Sequence, residues 1–423
     1  MRNVKTTTRT RTSEITNPIW TLACSRGISR RQYLKLLSTG GAAAVLAACS
    51  GETLPDPTAA AEKASVSNTT AAEGQAWFKD SDPFIVRSGG LEARLENMQG
   101  VTTPNRLFFV RNNSKSIGLD TEAWRLSVQG DAVSNPLEMS YEDLRNMPSK
   151  TVIAYLECAG NQRAMFKLVN GRTATGTQWE RGAVSNGEWT GVSLWNVLEL
   201  AGITSEAISV LLVGLDKDSP EGGFRRVIPI DKAMHPDTLL AYSLNGETLP
   251  EDHGFPLRAV VPGWVGSSWI KWVGRIVVSS EQLWTRNNTT SYVLAGDNYP
   301  SEGRADGTVI TTQVIKSALA LPWPTQLTAG SHRIHGFAHS PHPITEVEWS
   351  DNSGATWNLA DLHKPLHQHS WTRFEFTWVA TLGEHTLTTR ATDTTGNTQP
   401  DFIPFNRKGY LFNQPLPHPL TVT

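Results

Sequence analysis

Cys158, in the run Tyr155-Leu-Glu-Cys-Ala-Gly-Asn-Gln-Arg-Ala-Met-Phe166, is the residue of this 423-residue chain best placed to do chemistry. The other two of its three cysteines, Cys24 and Cys49, lie in an N-terminal leader, so no internal disulfide partner remains. A free cysteine is most often an inert core residue. Here a β-rich stretch, 151–156, gives way to a turn of small residues, a common place to present a side chain to a ligand. Ala159 and Gly160 permit close backbone approach, Asn161 offers amide hydrogen bonds, and Arg163 puts a fixed cation beside a thiolate. Such a thiolate suits a soft metal.

The run resembles the Cys-Ala/Ser-Gly-Asn-Arg-Arg signature of the sulfite oxidase family of molybdopterin enzymes, with Gln162 in place of its first arginine. The resemblance implies a molybdenum–molybdopterin cofactor with Cys158 as the metal ligand. A metal–pterin centre needs a soft thiolate, donors for phosphate and dithiolene, and positive charge beside its open face if the substrate is an oxyanion. Phe108-Phe-Val-Arg-Asn-Asn113 resembles the family's aromatic-x-Arg-Asn-His segment. It implies Arg111 on the substrate side and Asn112 and Asn113 at the cofactor, Asn113 replacing the family histidine. Gly182-Ala-Val-Ser-Asn-Gly-Glu-Trp189 resembles a loop that brings a tryptophan to the pocket, and Leu240-Ala-Tyr-Ser-Leu-Asn-Gly246 sets Tyr242 where the family carries its active-site tyrosine. The Asn-Gly pair that follows Tyr242 marks a hairpin turn.

A second signal is Asp252-His-Gly-Phe-Pro-Leu-Arg258 followed by Val261-Pro-Gly-Trp-Val-Gly266 and Lys271-Trp272. By resemblance, His253, Arg258, Gly266 and Lys271 hold the pterin and its phosphate. Cations with a glycine-rich backbone suit that task. Arg111, Arg163, Trp189 and Tyr242 are then the expected catalytic set.

Sulfite-oxidising members commonly carry an arginine where this chain has Ser268. With Gln162 and Asn113, this departure predicts weak binding of a small dianion, and hence little or no turnover of sulfite. The resemblance implies an oxidoreductase that transfers an oxygen atom, here on a less charged substrate such as an organic sulfur compound or a sulfoxide; the alternatives are sulfite dehydrogenase proper, a reductase of S- or N-oxides, and a non-catalytic lipid-anchored binding protein on the same fold. Arg225 and Arg226 could supply replacement charge, but the sequence does not place them.

The leader bears on compartment. Ser29-Arg-Arg-Gln-Tyr-Leu-Lys35 precedes an apolar stretch, 36–48, of signal-peptide length and too short to span a membrane. The twin arginine reads as a Tat signal, and Leu46-Ala-Ala-Cys49 as a lipobox with Cys49 lipidated. Tat export of folded protein suits an enzyme loaded with its cofactor in the cytoplasm, and places it outside that compartment. Residues 1–48 hold eight of the 38 basic and one of the 40 acidic side chains, leaving 30 against 39, a net charge near −9. That balance argues against nucleic-acid binding. Membrane attachment is expected through the lipid alone.

The domain plan is a signal peptide at 1–48, a flexible tether at 49–75, a molybdopterin-binding α+β domain at 76–305 and an all-β domain at 306–423. In the first, β-rich runs at 124–129, 151–156, 208–213 and 274–279 alternate with helical patterns at 141–146 and 193–201. In the second, alternating runs at 308–315, 332–338, 344–350, 372–379 and 385–393 predict an Ig-like sandwich. Its sequence resembles the family's dimerisation domain, which implies a homodimer. Nine of the eleven histidines fall here, and the cluster His332, His335, His339, His342 reads as strand and turn residues rather than a metal site. The chain has no Cys-x-x-Cys-His haem motif and too few cysteines for an iron–sulfur cluster, so an external acceptor, a cytochrome or a quinone, is expected.

Overall fold

The computed structural model describes residues 68–70, 76–364 and 368–423. The expected leader with Cys49 and nearly all of the expected tether lie outside them. Ala64–Thr423 forms one compact unit. Strands dominate it: among the described residues the longest α-helix, Leu194–Leu200, has seven residues. The helical patterns expected at 141–146 and 193–201 are the short helices Tyr141–Arg145 and Leu194–Leu200. They are short and follow directly on strands, as at Tyr141–Arg145, where Ser140 caps the Asp143 N–H and the Asp143 carboxylate accepts the Ser140 N–H at 2.9 Å. Among the described residues no helix is long and apolar enough to cross a membrane.

Two five-stranded sheets form most of the first domain, beside a three-stranded sheet of Phe84–Arg87, Gly90–Ala93 and Val110–Arg111. One orders Arg225–Pro229, Ser209–Gly214, Val273–Ser279, Leu126–Gln129 and Leu137–Met139. The other orders Glu247–Thr248, Leu239–Leu244, Val184–Ser193 and Ser149–Glu157, with Arg258–Val260 also pairing Leu239–Leu244. The last six residues of Ser149–Glu157 are all buried, which explains a continuous apolar run in place of strict alternation. Gly191 permits this sheet to close, because a Cβ there would strike the Leu240 carbonyl.

The second domain has two sheets with a shared core that includes Ile334, Val347, Phe374, Trp378, Leu387 and Leu420. Thr372–Ala380 alternates by the period-two rule, with Phe374, Phe376 and Trp378 inward and Glu375, Thr377 and Val379 outward. The expected strand at 308–315 is instead a short Thr308–Val309 strand followed by a new one, Lys316–Leu319. Between them the backbone is taken up by the first domain: the Val265 N–H donates to Thr311 at 2.8 Å and the Gln313 N–H to Gly263 at 2.9 Å. Phe337 and Trp371 also join the cluster that contains Val152, Leu156 and Trp269, so the core is continuous behind the cysteine.

Candidate active site

Cys158 directly follows the Ser149–Glu157 strand and is partly exposed. Its N–H donates to the Ala183 carbonyl at 2.9 Å and its carbonyl accepts the Asn161 N–H at 2.9 Å, which turns the chain sharply at the sulfur. The Asn161 amide fastens that turn, accepting the Ala183 N–H at 3.0 Å and donating to the Glu157 carboxylate at 2.9 Å. Two glycines are needed by close approach. A Cβ at Gly160 would collide with the Arg163 guanidinium, and one at Gly266 would lie 2.7 Å from the Glu157 carbonyl.

The sulfur borders two cavities. The inner one, about 650 Å³ and open to solvent, is lined by Arg111, Asn112, Asn113, Cys158, His253, Arg258, Gly266 and Lys271. The structure thus brings together every residue expected to hold the cofactor. The Lys271 ammonium donates to Asn112 Oδ1 and to the Asp252 carbonyl. Asn112 Nδ2 donates to Ser116 Oγ at 2.7 Å, and Ser116 Oγ donates back to the Asp252 carboxylate at 2.5 Å. Burial, reinforced by Lys79, Lys271 and Arg258, holds the His253 imidazole well below its usual value and therefore neutral. Burial lowers Arg258 to about 9. It also pushes Lys271 well below the lysine range, with repulsion from Arg258 added. Arg258 and Lys271 are thus buried cations, and at Lys271 desolvation outweighs the nearby Asp252 and Asp216, a cost that an entering phosphate relieves. His253 Nε2, Arg258 Nε and Ser267 Oγ are buried without a protein partner, and all three residues line this cavity. Orphaned donors of this kind fit an anionic, hydrogen-bonding cofactor.

The outer cavity, about 580 Å³, shares Arg111, Cys158 and Tyr292 with the inner one and adds Arg163, Thr177, Lys408 and Tyr410. Arg163 is fixed in place: Nε donates to the Lys408 carbonyl and Nη1 to the Thr177 carbonyl, each at 2.6 Å. Its guanidinium stands 5.1 Å from the Tyr410 ring centre, and Gly176 and Gly409 leave room for it. Tyr410 stacks on Tyr292 with ring centres 5.4 Å apart. Arg111 donates to Asn113 Oδ1 at 3.0 Å. No carboxylate lines this outer cavity among the described residues.

Several expectations are corrected. Trp189 is not on a loop: it sits within the Val184–Ser193 strand, fully buried, and its Nε1–H donates to the Ala154 carbonyl at 3.1 Å. It lines neither cavity, but Arg258 lies 5.3 Å from its ring centre. Tyr242 is likewise a core residue, in the Leu239–Leu244 strand with the Arg145 guanidinium 4.7 Å from its ring, and it too lines neither cavity. The turn after it is as expected, with φ of 54° at Asn245 and 77° at Gly246. The tyrosines at the sulfur are Tyr292 and Tyr410. Gln162 borders a separate small cavity with Lys316 and His339 rather than the sulfur's side. Ser268 is fully buried and lines neither cavity, whereas its neighbour Ser267 lines the inner one. Arg226 is buried 5.6 Å from the Tyr292 ring centre and bonded to the Asn287 and Ile310 carbonyls, while Arg225 bonds to the Gly223 and Glu221 carbonyls, so neither supplies charge to the cavity wall. Lys408, Tyr410 and Tyr292 carry no motif, and only the polar Arg-Lys-Gly-Tyr run at 407–410 hinted at them.

A cysteine between a cation-rich, donor-rich inner cavity and a cationic outer one defines a metal–pterin oxidoreductase site. Residues 113–286 match the oxidoreductase molybdopterin binding domain, and residues 308–415 match the Mo-co oxidoreductase dimerisation domain. The chain is 33% identical to sulfite oxidase of Gallus gallus over 73% of its own length and 71% of that protein. It is 32% identical to mitochondrial sulfite oxidase of Homo sapiens, covering 74% of this chain and 60% of the human protein. The chain thus spans about 60% of the length of the mammalian relatives it matches. In structure it is similar to the sulfane dehydrogenase SoxCD from Paracoccus pantotrophus, with a TM-score of 0.68, 29% identity, and coverage of 82% of this chain and 86% of that one. The chain belongs to the sulfite oxidase family of molybdopterin-dependent oxidoreductases. The molybdenum–molybdopterin group is accordingly its cofactor, and the inner cavity fits it.

Proposed function

We propose that this chain oxidises an anionic sulfur compound by oxygen-atom transfer at molybdenum and passes two electrons to an external cytochrome or quinone. The observation that carries the proposal is the position of Cys158 between the two cavities. Cys158 ligates the metal; Asn112, Asn113, His253, Arg258, Gly266 and Lys271 hold the pterin and its phosphate. When bound, the cofactor supplies the two-electron change and the exchangeable oxygen. The protein's own part is to orient and to select. Arg111, Arg163 and Lys408 draw an anion into the outer cavity, whose lining among the described residues holds no carboxylate. Tyr292, bordering both cavities, offers its phenol to the substrate beside the sulfur.

The expectation of weak dianion binding keeps its missing arginine at Ser268 but meets a cation it did not count. Of its three positions only Asn113 lines the cavities, and Lys408 adds a cation that the expectation lacked. Sulfite and sulfane-type sulfur therefore come before S- and N-oxides as substrates. The second domain is an Ig-like sandwich through which two copies pair, a reading supported by its match to the dimerisation domain. Export by Tat and anchorage through lipid on Cys49 would hold the dimer outside the cytoplasm, as the leader sequence suggests.

Steady-state assay with an artificial electron acceptor tests the reaction, on wild type and Ser268→Arg, against sulfite, thiosulfate, sulfoxides and N-oxides. Turnover of sulfite or a sulfane donor, linked to molybdenum content, is expected. Turnover restricted to sulfoxides or N-oxides would reverse the direction, and metal-free, inactive protein from a cofactor-competent host would favour a binding protein.

A further inference from the structure

Glu157, the residue before Cys158, is fully buried and forms an ion pair with Lys316 at 2.6 Å, the two side chains 0% and 2% exposed. The same carboxylate oxygen accepts Asn161 Nδ2 at 2.9 Å, and the Glu157 carbonyl accepts Gln313 Nε2 at 2.8 Å. Lys316 also reaches the Asn161 carbonyl at 3.4 Å, and the Leu411 N–H donates to the Ala159 carbonyl at 2.9 Å. Gln313, Lys316 and Leu411 all fall in the segment that matches the dimerisation domain. Both neighbours of Cys158 are therefore held from that segment. The other Glu157 oxygen is without a hydrogen-bond partner and lies 3.9 Å from His339 Nε2, a residue of the same segment.

Stability alone is a poor reason for such a pair, because a buried ion pair can often be replaced by apolar side chains at little or no cost. What it supplies is direction. Charge-assisted bonds of fixed geometry set the peptide of residue 157, and that peptide sets where the next side chain points. We propose that Glu157, gripped by Lys316 and Gln313, is a positioning residue that aims the Cys158 sulfur, which makes the dimerisation segment a working part of the site. The proposal rests on the reading of Cys158 as the molybdenum ligand.

The test uses the full-length holoenzyme as wild type, Cys158→Ser, Lys316→Arg, Gln313→Leu and the double variant Glu157→Gln/Lys316→Met. Metal-edge X-ray absorption, reduction potential, steady-state kinetics and thermal unfolding are read on each. The double variant, which removes both charges together, is expected to unfold near the wild-type temperature. Its sulfur shell and potential should shift and its kcat should fall about 10- to 100-fold at unchanged KM, the range found for lost outer partners of a metal ligand. Lys316→Arg should stay near wild type, and Gln313→Leu should shift the spectrum the same way by less. Wild-type spectrum, potential and kcat in both the double variant and Gln313→Leu would overturn the proposal, whatever their stability. An unchanged sulfur shell in Cys158→Ser would instead remove the ligand assignment, and the proposal with it.

Discussion

The Lys408 carbonyl accepts the Arg163 Nε–H at 2.6 Å across 245 residues of sequence, which brings two cations from distant segments into one wall of the outer cavity. Arg163 is buried and cannot be rehydrated by small shifts, whereas Lys408 is partly exposed. Their losses should differ accordingly. Arg163→Met is expected to raise KM for an anionic substrate roughly 30-fold or more, about 2 kcal/mol at the low end for a lost buried charge contact. Lys408→Met should raise it only about 3- to 10-fold, and the effect should shrink at high ionic strength. Equal losses, both insensitive to salt, would contradict this division.

The two tyrosine positions separate cleanly. Tyr292→Phe removes a phenol beside Cys158 and should lower kcat about tenfold, the worth of one hydrogen bond near 1.4 kcal/mol. Tyr242→Phe, in the core beneath Arg145, should leave kcat within about twofold. The reverse pattern would return Tyr242 to the site.

Trp189→Ala should act through the fold. Removing this fully buried ring is expected to cost about 3–5 kcal/mol of stability, with Arg258 losing the face it rests on. Trp189→Phe should recover most of the stability and near-wild-type KM. A large KM change in Trp189→Phe with unaltered unfolding would show direct substrate contact.

How far the sequence was legible depends on contiguity. The cysteine turn and the His253, Arg258 and Lys271 set were readable because each motif lies within one short stretch that folds as a unit. Tyr292 and the pair Lys408 and Tyr410 come to the cavity beside Cys158 from two segments distant from it in sequence, and no local pattern marks such convergence. Trp189 and Tyr242 were misplaced for a different reason: both stand within long buried strands, where an aromatic side chain fills a core and the neighbouring Gly and Asn residues imitate a loop. The helical patterns at 141–146 and 193–201 were legible because each carries its own apolar spacing, whereas the short helices Met165–Asn170, Ile230–Ala233 and Arg286–Thr289 are too brief to leave a periodic mark.

Acid should weaken the second domain through His418. Burial, then repulsion from Arg181, lowers its folded pKa to about 3, while the unfolded chain titrates at about 6.5. The unfolded state therefore binds the extra proton between these values, and stability falls as pH drops from about 6.5 towards 3. At pH 5 the cost from this residue is about 2 kcal/mol. Thermal unfolding of wild type and His418→Gln between pH 7 and 5 checks it: the variant should lose less, and parallel curves would rule His418 out.

The central claim is that Cys158 ligates molybdenum between the two cavities, and X-ray absorption at the metal edge of wild type and Cys158→Ser tests it most directly. Cys158→Ser should remain folded and keep its cofactor through the inner-cavity contacts, with one sulfur fewer at the metal and activity lost. An identical sulfur shell in the two proteins would contradict the account.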